Sequence, residues 1–337
     1  MKVLVTGGAG YIGSTIASAC ADRGITPVVL DDLSKGPERF ATRHTFVRGS
    51  IADGQVIDAV YAAHPDIAAV VHCAARAVVP DSTRDPLDYY GNNVGGLVEF
   101  LGHLLRVGAR RLVFSSSASI YLPGDTLDVD EDSAIAPASP YAATKAMGER
   151  ILADVAAVSN LRVLSLRYFN PIGADPQLRT GPYDTNPTHV VGQLMQAYRH
   201  GGPFTVTGTQ WPTRDGSAIR DYIHVWDLAE AHVAALLRFD EAVPADEASR
   251  AVNLGTGFGT TVWELVRAFE QVTGAPLAVR TGPPRPGDVV GSYTRSDLAA
   301  QVLGWSAERS VADAIRDALA WERVEGRANS GSTPMTI

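Results

Sequence analysis

Cysteine is nearly absent from the chain: among 337 residues there are two, Cys20 and Cys73. Nothing so sparse makes a disulfide framework, and the expectation is two free thiols in a reducing compartment. Long apolar runs are missing as well. None reaches the roughly 18 residues of a membrane span, so no membrane partner is expected. Basic charge is in short supply, with 29 Lys and Arg against 37 Asp and Glu, a net charge of -8 scattered along the chain. No positive field is concentrated for a nucleic-acid backbone, and a nucleic-acid partner is not expected; a small anion needs only local donors. The opening "MKVLVTGG" lacks the basic region and apolar core of a signal peptide, which points to the cytoplasm. There is no internal repeat and no sign of a metal site.

What is present is alternation. "KVLVT" (2–6), "TPVVLD" (26–31), "AAVVHCA" (68–74), "RLVFSSS" (111–117) and "RVLSLRYF" (162–169) are short, β-branched and apolar, and read as buried strands. Between them 12–23, 53–63, 92–107 and 141–157 are long enough for crossover helices. Repeated strand–helix–strand order predicts a largely parallel sheet with helices on both faces, and ligands beyond the carboxyl ends of its strands. From about 171 the rhythm breaks into "NPIGADPQLRTGPYDTNP", a long irregular excursion. Elements follow at 225–239 and 260–274, the latter with Thr260 or Thr261 as its cap, and "AVNLGTG" reads as another strand and turn. The expected division is 1–170, a smaller mixed lobe over 171–322 with elements returning to the sheet, and a flexible tail over 323–337.

Two constellations carry chemistry. "VTGGAGYIG" holds Gly8-x-Gly10-x-x-Gly13 directly after the first strand. Gly8 is expected to permit the tight turn, Gly10 the approach of a pyrophosphate, and Gly13 close packing of the helix on the sheet. The second strand ends in Asp31, whose carboxylate can accept from both ribose hydroxyls and would repel a 2′-phosphate, so NAD is favoured over NADP. A purely structural glycine turn, with Asp31 and Asp32 merely starting a loop, is the alternative. The second constellation is "FSSSASIY" after the fourth strand with "PYAATKAMGER" opening the next helix. Tyr141 and Lys145 lie one turn apart on one helix face. A phenol near pKa 10 is a poor base at neutral pH, but a lysine cation and a positive nicotinamide both favour phenolate. With a serine hydroxyl holding the substrate oxygen, that set suits proton removal from an alcohol while hydride leaves the adjacent carbon.

The same residues carry a resemblance. From Met1 to about residue 320 the chain resembles the UDP-glucose 4-epimerases, in the extended short-chain dehydrogenase/reductase family, through "VLVTGGAGYIGS", "FSSSASIY", "PYAATK", "LRYFNPIGA", "DGSAIRDYIHVWDLA" and "RPGD". It implies a Rossmann-type α/β fold, bound NAD, UDP-sugar substrates and a homodimer. It implies Tyr141 as catalytic base, Lys145 as its partner and Ser117 as catalytic serine. The cofactor contacts it implies are Gly7, Gly10, Tyr11, Ile12, Gly13, Asp31, Ser50, Ile51, Ala74, Arg76, Asn92, Ser115 and Tyr168, beside Tyr141 and Lys145. Toward the substrate it implies Ser117, Tyr141, Asn170, Val190, Arg220, Arg285, Asp288 and Ser292. The implied reaction oxidises C4 of the sugar and returns the same hydride to the other face of the 4-keto intermediate.

Four positions depart from the family pattern. Ser50 stands where an Asp touches the adenine, Arg76 replaces a lysine, and Thr207 replaces a large aromatic near the uracil. Ser292 falls where some members carry a tyrosine against the sugar's C2 substituent; a small residue leaves room for an N-acetyl group unless Tyr293 fills the space. The segment "ASIY" has no carboxylate, which argues against a 4,6-dehydratase. Epimerases of UDP-pentoses or UDP-uronic acids and a non-catalytic NAD-binding protein remain the competing readings.

Overall fold

The computed structural model describes residues 1–284, 289–295 and 297–330, with side chains through 325. Seven strands, β1 (Lys2–Thr6), β2 (Thr26–Asp31), β3 (Thr45–Arg48), β4 (Ile67–His72), β5 (Arg111–Ser115), β6 (Arg162–Tyr168) and β7 (Ser249–Leu254), form one sheet ordered β7-β6-β5-β4-β1-β2-β3. Every pairing in it is parallel. The order reverses between β1 and β4, the switch point beyond which such sheets bind ligands.

Alternation along each strand supplies two cores. Val3, Val5, Val71, Val113 and Leu164 face helices α1 (Tyr11–Asp22) and α6 (Val225–Leu237), where Ile16 and Leu236 meet them. Leu4, Val70, Leu112 and Val163 face α2 (Gly54–Ala63), α3 (Gly96–Arg106) and α4 (Pro140–Ala157) through Ile57, Leu104 and Leu152. Each such fully buried aliphatic side chain contributes about 1.5–3 kcal/mol. This is the expected α/β architecture, and β7 adds a seventh strand from the later part of the chain.

The smaller lobe has its own core, with Ile172, Leu194, Val206, Tyr222, Phe269 and Ile315 buried among α5 (Val190–His200), α7 (Val262–Thr273) and α8 (Val311–Ser330). Its strands pair in twos: 170–172 with 222–224, 219–220 with 260–261, 204–207 with 279–282, and 293–294 with 128–129. Helix α7 begins at a reciprocal cap, Glu264 N donating to Thr261 Oγ1 at 3.2 Å and Thr261 N to Glu264 Oε2 at 2.9 Å.

Three boundaries differ from the sequence reading. The strand expected over 111–117 ends at Ser115, because the Ser116 amide turns to the carbonyls of Phe114 and Leu166 at 3.0 and 2.9 Å. The helix expected over 92–107 opens with a widened π turn over 90–95 before α3. Residues 323–330, expected in a flexible tail, continue α8 instead. Trp321 packs against Phe40 with ring centroids 5.7 Å apart and donates to the Pro182 carbonyl at 2.7 Å, and Arg39 pairs with Glu325 at 2.7 Å. Those contacts order a polar segment that composition alone made look frayed.

Candidate active site

The turn after β1 is built around atoms that exclude side chains. Gly7, not Gly8, takes the left-handed backbone, with φ +70°, and a Cβ there would lie 2.7 Å from Ala74 Cα. Gly8 is required for another reason: a Cβ would meet Val29 Cγ1 at 2.7 Å. At Gly13 it would meet the Gly7 carbonyl oxygen at 2.3 Å, so the helix could not approach the turn. Helix α1 starts after Gly10 with no side-chain cap, leaving the first-turn amides, including those of Tyr11 and Ile12, directed at whatever occupies the turn. Tyr11 turns its hydroxyl away, donating to Gly173 O at 2.6 Å, and Ile12 packs on the core.

Asp31 closes the far side of the turn. Its two carboxylate oxygens accept from Ala9 N at 2.9 Å and Leu33 N at 2.8 Å, while burial pushes its acid above the usual carboxylate range. Each oxygen keeps a further lone pair for a hydroxyl donor. The Gly49 amide donates to Asp31 O at 3.0 Å, which brings the next residues alongside: Ser50, exposed and accepting from Ala52 N at 3.2 Å, and Ile51, half-buried on the second core.

Beyond β4, Ala74 lies against Gly7, and Arg76 is bracketed by Asn93: Arg76 N donates to Asn93 Oδ1 at 2.8 Å, and Asn93 Nδ2 donates back to Arg76 O at 3.0 Å. The Arg76 guanidinium pairs with Asp88 at 2.8 Å. Asn92 is exposed and donates to Asn93 Oδ1 at 2.9 Å. The buried asparagine of the pair, Asn93, escapes a reading of "NN" as sequence; only the π turn distinguishes the two.

Ser117, Tyr141 and Lys145 come together at the carboxyl edge of β5. Helix α4 is started by Ser139, which accepts from Ala142 N at 3.2 Å, and by Pro140 in its first turn. That start sets Tyr141 and Lys145 facing the serine run. Tyr141 is beside Ser117, whose Oγ lies 2.9 Å from Ser119 Oγ. Lys145 Nζ donates to Ser115 O at 2.7 Å and sits 5.9 Å from the Tyr141 ring centre. Burial drives the two in opposite senses: Lys145 is pushed down to about 8, and Tyr141 up to about 12 against the lowering influence of the neighbouring Ser117. At neutral pH the protein itself therefore holds a neutral phenol beside a mostly charged ammonium. Tyr168, at the end of β6, is buried beside them, and burial pushes its phenol well above the usual range.

The profile of the NAD dependent epimerase/dehydratase family matches residues 3–255. The chain belongs to that family. It is 42% identical over 325 residues to the UDP-glucose 4-epimerase of Azospirillum brasilense, covering 96% of this chain and 92% of that one. A UDP-glucose-4-epimerase structure from Stenotrophomonas maltophila, with bound NAD and formylated UDP-arabinopyranose, superposes with TM-score 0.91 at 38% identity over 97% of this chain and 99% of its own. The Bifidobacterium longum enzyme, in complex with NAD+ and UDP, superposes with TM-score 0.88 at 30% identity, again over 97% and 99%.

On the lobe side of this epimerase/dehydratase fold, Asn170 is exposed and its amide donates to Asp221 O at 3.0 Å. Val190 is the first residue of α5. Arg220 donates to the carbonyls of Ile219, Val290 and Val289 at 2.7, 2.9 and 3.2 Å, which holds the segment leading to Ser292 against it. Gly291, at φ +106°, leaves no room for a Cβ there. Ser292 is half-buried, and next to it Tyr293 lines a groove of about 570 Å³ with Leu127, Ile219 and Phe258. Arg285 and Asp288 lie outside the described residues. Asp221 was missed in the sequence. It is fully buried and collects Thr256 N at 2.8 Å, Thr256 Oγ1 at 2.6 Å and Gly257 N at 3.2 Å, tying the turn after β7 to the lobe. A larger cleft, about 910 Å³ and lined by Tyr61, Arg110 and Asn160, sits at the opposite, amino edge of the sheet, away from this chemistry. Among the described residues no group of His, Cys, Asp and Glu could hold a metal ion, and no helix is long and apolar enough to cross a membrane.

Proposed function

We propose that the protein is an NAD-dependent 4-epimerase that interconverts UDP-glucose and UDP-galactose. The observation that carries this is the gathering of Ser117, Tyr141 and Lys145 at the same sheet edge as the glycine turn, with Lys145 Nζ held on the Ser115 carbonyl at 2.7 Å. The cradle at Gly7 and Gly13 that a Cβ would fill, the uncapped start of α1 and the lone pairs left on Asp31 fit a dinucleotide with a free 2′-hydroxyl. Bound NAD supplies an acceptor for the C4 hydride and gives the same hydride back.

Tyr141 takes the proton from the sugar's 4-hydroxyl as the C4 hydrogen leaves as hydride, giving the 4-ketose; Ser117 donates to that oxygen. Lys145 stabilises the phenolate through its charge, and its bond to Ser115 O aims it. When the ketose presents its other face, Tyr141 returns its proton to O4, and with the hydride that bound NAD would give back the configuration at C4 is inverted with no net redox change. Asn170, Val190 and Arg220, together with Arg285 and Asp288, are assigned to the uridine diphosphate, so that the hexose is free to turn. Ser292 is assigned to the space beside C2, which extends the reading to the UDP-N-acetylhexosamine pair.

We assign the homodimer to the outer faces of α3 and α4, where Val98, Leu105 and Met147 are exposed. The compartment is assigned as the cytoplasm, where the free thiols Cys20 and Cys73 stay reduced. The test is a panel of UDP- and dTDP-sugars with the purified protein, alongside analysis of nucleotide released on denaturation. Interconversion of the UDP-hexoses with stoichiometric NAD is expected. A protein that binds NAD and turns over no UDP-sugar refutes the reading, as does one carrying NADPH. Sedimentation of the same preparation reads the dimer.

A further inference from the structure

Two side chains one turn apart on α4 hold two consecutive serines. Strand β5 ends at Ser115, so no sheet ladder places the residues that follow. Lys145 Nζ donates to the Ser115 carbonyl at 2.7 Å, and Glu149, four residues on along the same helix face, accepts from Ser116 Oγ. Ser116 is fully buried, and its amide donates across to Leu166 O on β6 at 2.9 Å. The run is thus gripped from α4 and from β6 in the two residues before Ser117. Gly148 makes the reach possible: a Cβ there would lie 2.9 Å from Phe114 Cζ, so the helix comes down closely on the end of β5.

The Glu149 carboxylate is itself aimed. Arg167, on β6 beside Tyr168, meets it as a fork, with Nε 3.0 Å from both oxygens and Nη2 2.6 Å from Oε2. The remaining guanidinium nitrogen, Nη1, donates to Tyr121 Oη at 2.8 Å and to Glu131 O at 3.1 Å. The carboxylate's partners are protein groups, so its part in the chemistry is indirect. We propose that Glu149 is a positioning residue for the reaction: through Ser116 it holds the Ser117 hydroxyl within reach of the oxygen that Tyr141 deprotonates. One rigid helix then carries the base, its ammonium and the anchor of the serine. Without the anchor Ser117 drifts from α4, and a displacement of about 1 Å is enough to cost up to about 10²-fold in rate.

The inference rests on the epimerase reading above, and two kinds of measurement separate them. Hydrogen exchange of the purified holoprotein reads the grip without turnover. Ser116→Ala removes the hydroxyl and leaves the Glu149–Arg167 pair whole. Amides of 116–121 are then expected to exchange about fivefold or more faster, with those of α4 unchanged; wild-type exchange over 116–121 overturns the proposal whatever the activity. In kinetics the same variant is expected to lose about tenfold or more in kcat, with KM for the UDP-sugar within about twofold and NAD content at the wild-type level. In a Ser117→Ala background Ser116→Ala should cost less than about twofold further, since the grip then has nothing to place. Glu149→Gln keeps Oε1 for Ser116 and should retain most of the kcat that Glu149→Leu loses. Wild-type kcat in Ser116→Ala, a full further loss in the Ser117→Ala background, or equal losses in the glutamine and leucine variants overturns the proposal. Glu149→Leu strands a guanidinium whose side chain is 8% exposed; should it fail to fold, Ser116→Ala and its cycle with Ser117→Ala decide the matter.

Discussion

Replacing Lys145 with methionine keeps a long side chain in the helix and removes a charge that the fold holds at a cost. The ammonium is fully buried and its pKa falls from 10.5 to about 8. Between those values the unfolded chain binds more protons than the native one, so the wild-type protein gains stability as pH rises. With those two values the charged lysine costs about 3 kcal/mol of folding free energy at pH 7 and about 1 at pH 10. Lys145→Met carries neither term. Every other titrating group is common to both proteins, so the stability of the wild type relative to the variant should rise by about 2 kcal/mol from pH 7 to pH 10. Urea unfolding of both proteins at a series of pH values measures it. The variant loses the bond to Ser115 O, which lowers its stability by about 1 kcal/mol at every pH and leaves the slope untouched. A flat difference across that range, or one of opposite sign, would show that the lysine is not held charged against burial and that its pairing with Tyr141 has been misread.

Tyr141→Phe should lower epimerase turnover by about 10²–10⁴ while NAD stays bound; since Ser117 keeps Ser119 as a partner, the stability loss should stay near 1 kcal/mol. Turnover within tenfold of wild type would remove Tyr141 from the role of base. Gly13→Ala sets a methyl 2.3 Å from the Gly7 carbonyl oxygen, and the resulting shift of α1 should cost about 1–3 kcal/mol and strip NAD on gel filtration; an alanine variant with full NAD content would contradict the packing. Ser292→Tyr should reduce kcat/KM for the UDP-N-acetylhexosamine pair far more than for the plain hexoses, and an unchanged ratio would show that position 292 does not face C2.

The parallel sheet was readable because its strands are buried on both faces and so are uniformly apolar. The site's polar ends were less legible. Gly7 and Gly8 are the same letter, and only a φ of +70° against a side-chain clash separates their roles. Asn92 and Asn93 likewise differ only through a π turn that no periodicity signals. Asp221 sits in a recognisable motif, yet its work is to satisfy amides of a turn 35 residues later, a pairing absent from local pattern. His232 occupies an apolar helix face, where a buried histidine looks like filler until its two ring nitrogens are given partners. Charge patterning failed at the end of the C-terminal helix, because Trp321 and Glu325 find partners in Phe40 and Arg39, almost a whole chain away.

That last contact bears on how the chain acquires its shape. Arg39 and Glu325 are 286 residues apart, and Phe40 and Trp321 nearly as far. During synthesis the segment holding Phe40 leaves the ribosome long before its cover is translated: Tyr183, 5.8 Å away between ring centroids, arrives mid-chain and Trp321 only near the end. Contacts of such separation close late and slowly. The nascent first half therefore carries a partly uncovered ring until α8 is made and Trp321 completes the cluster.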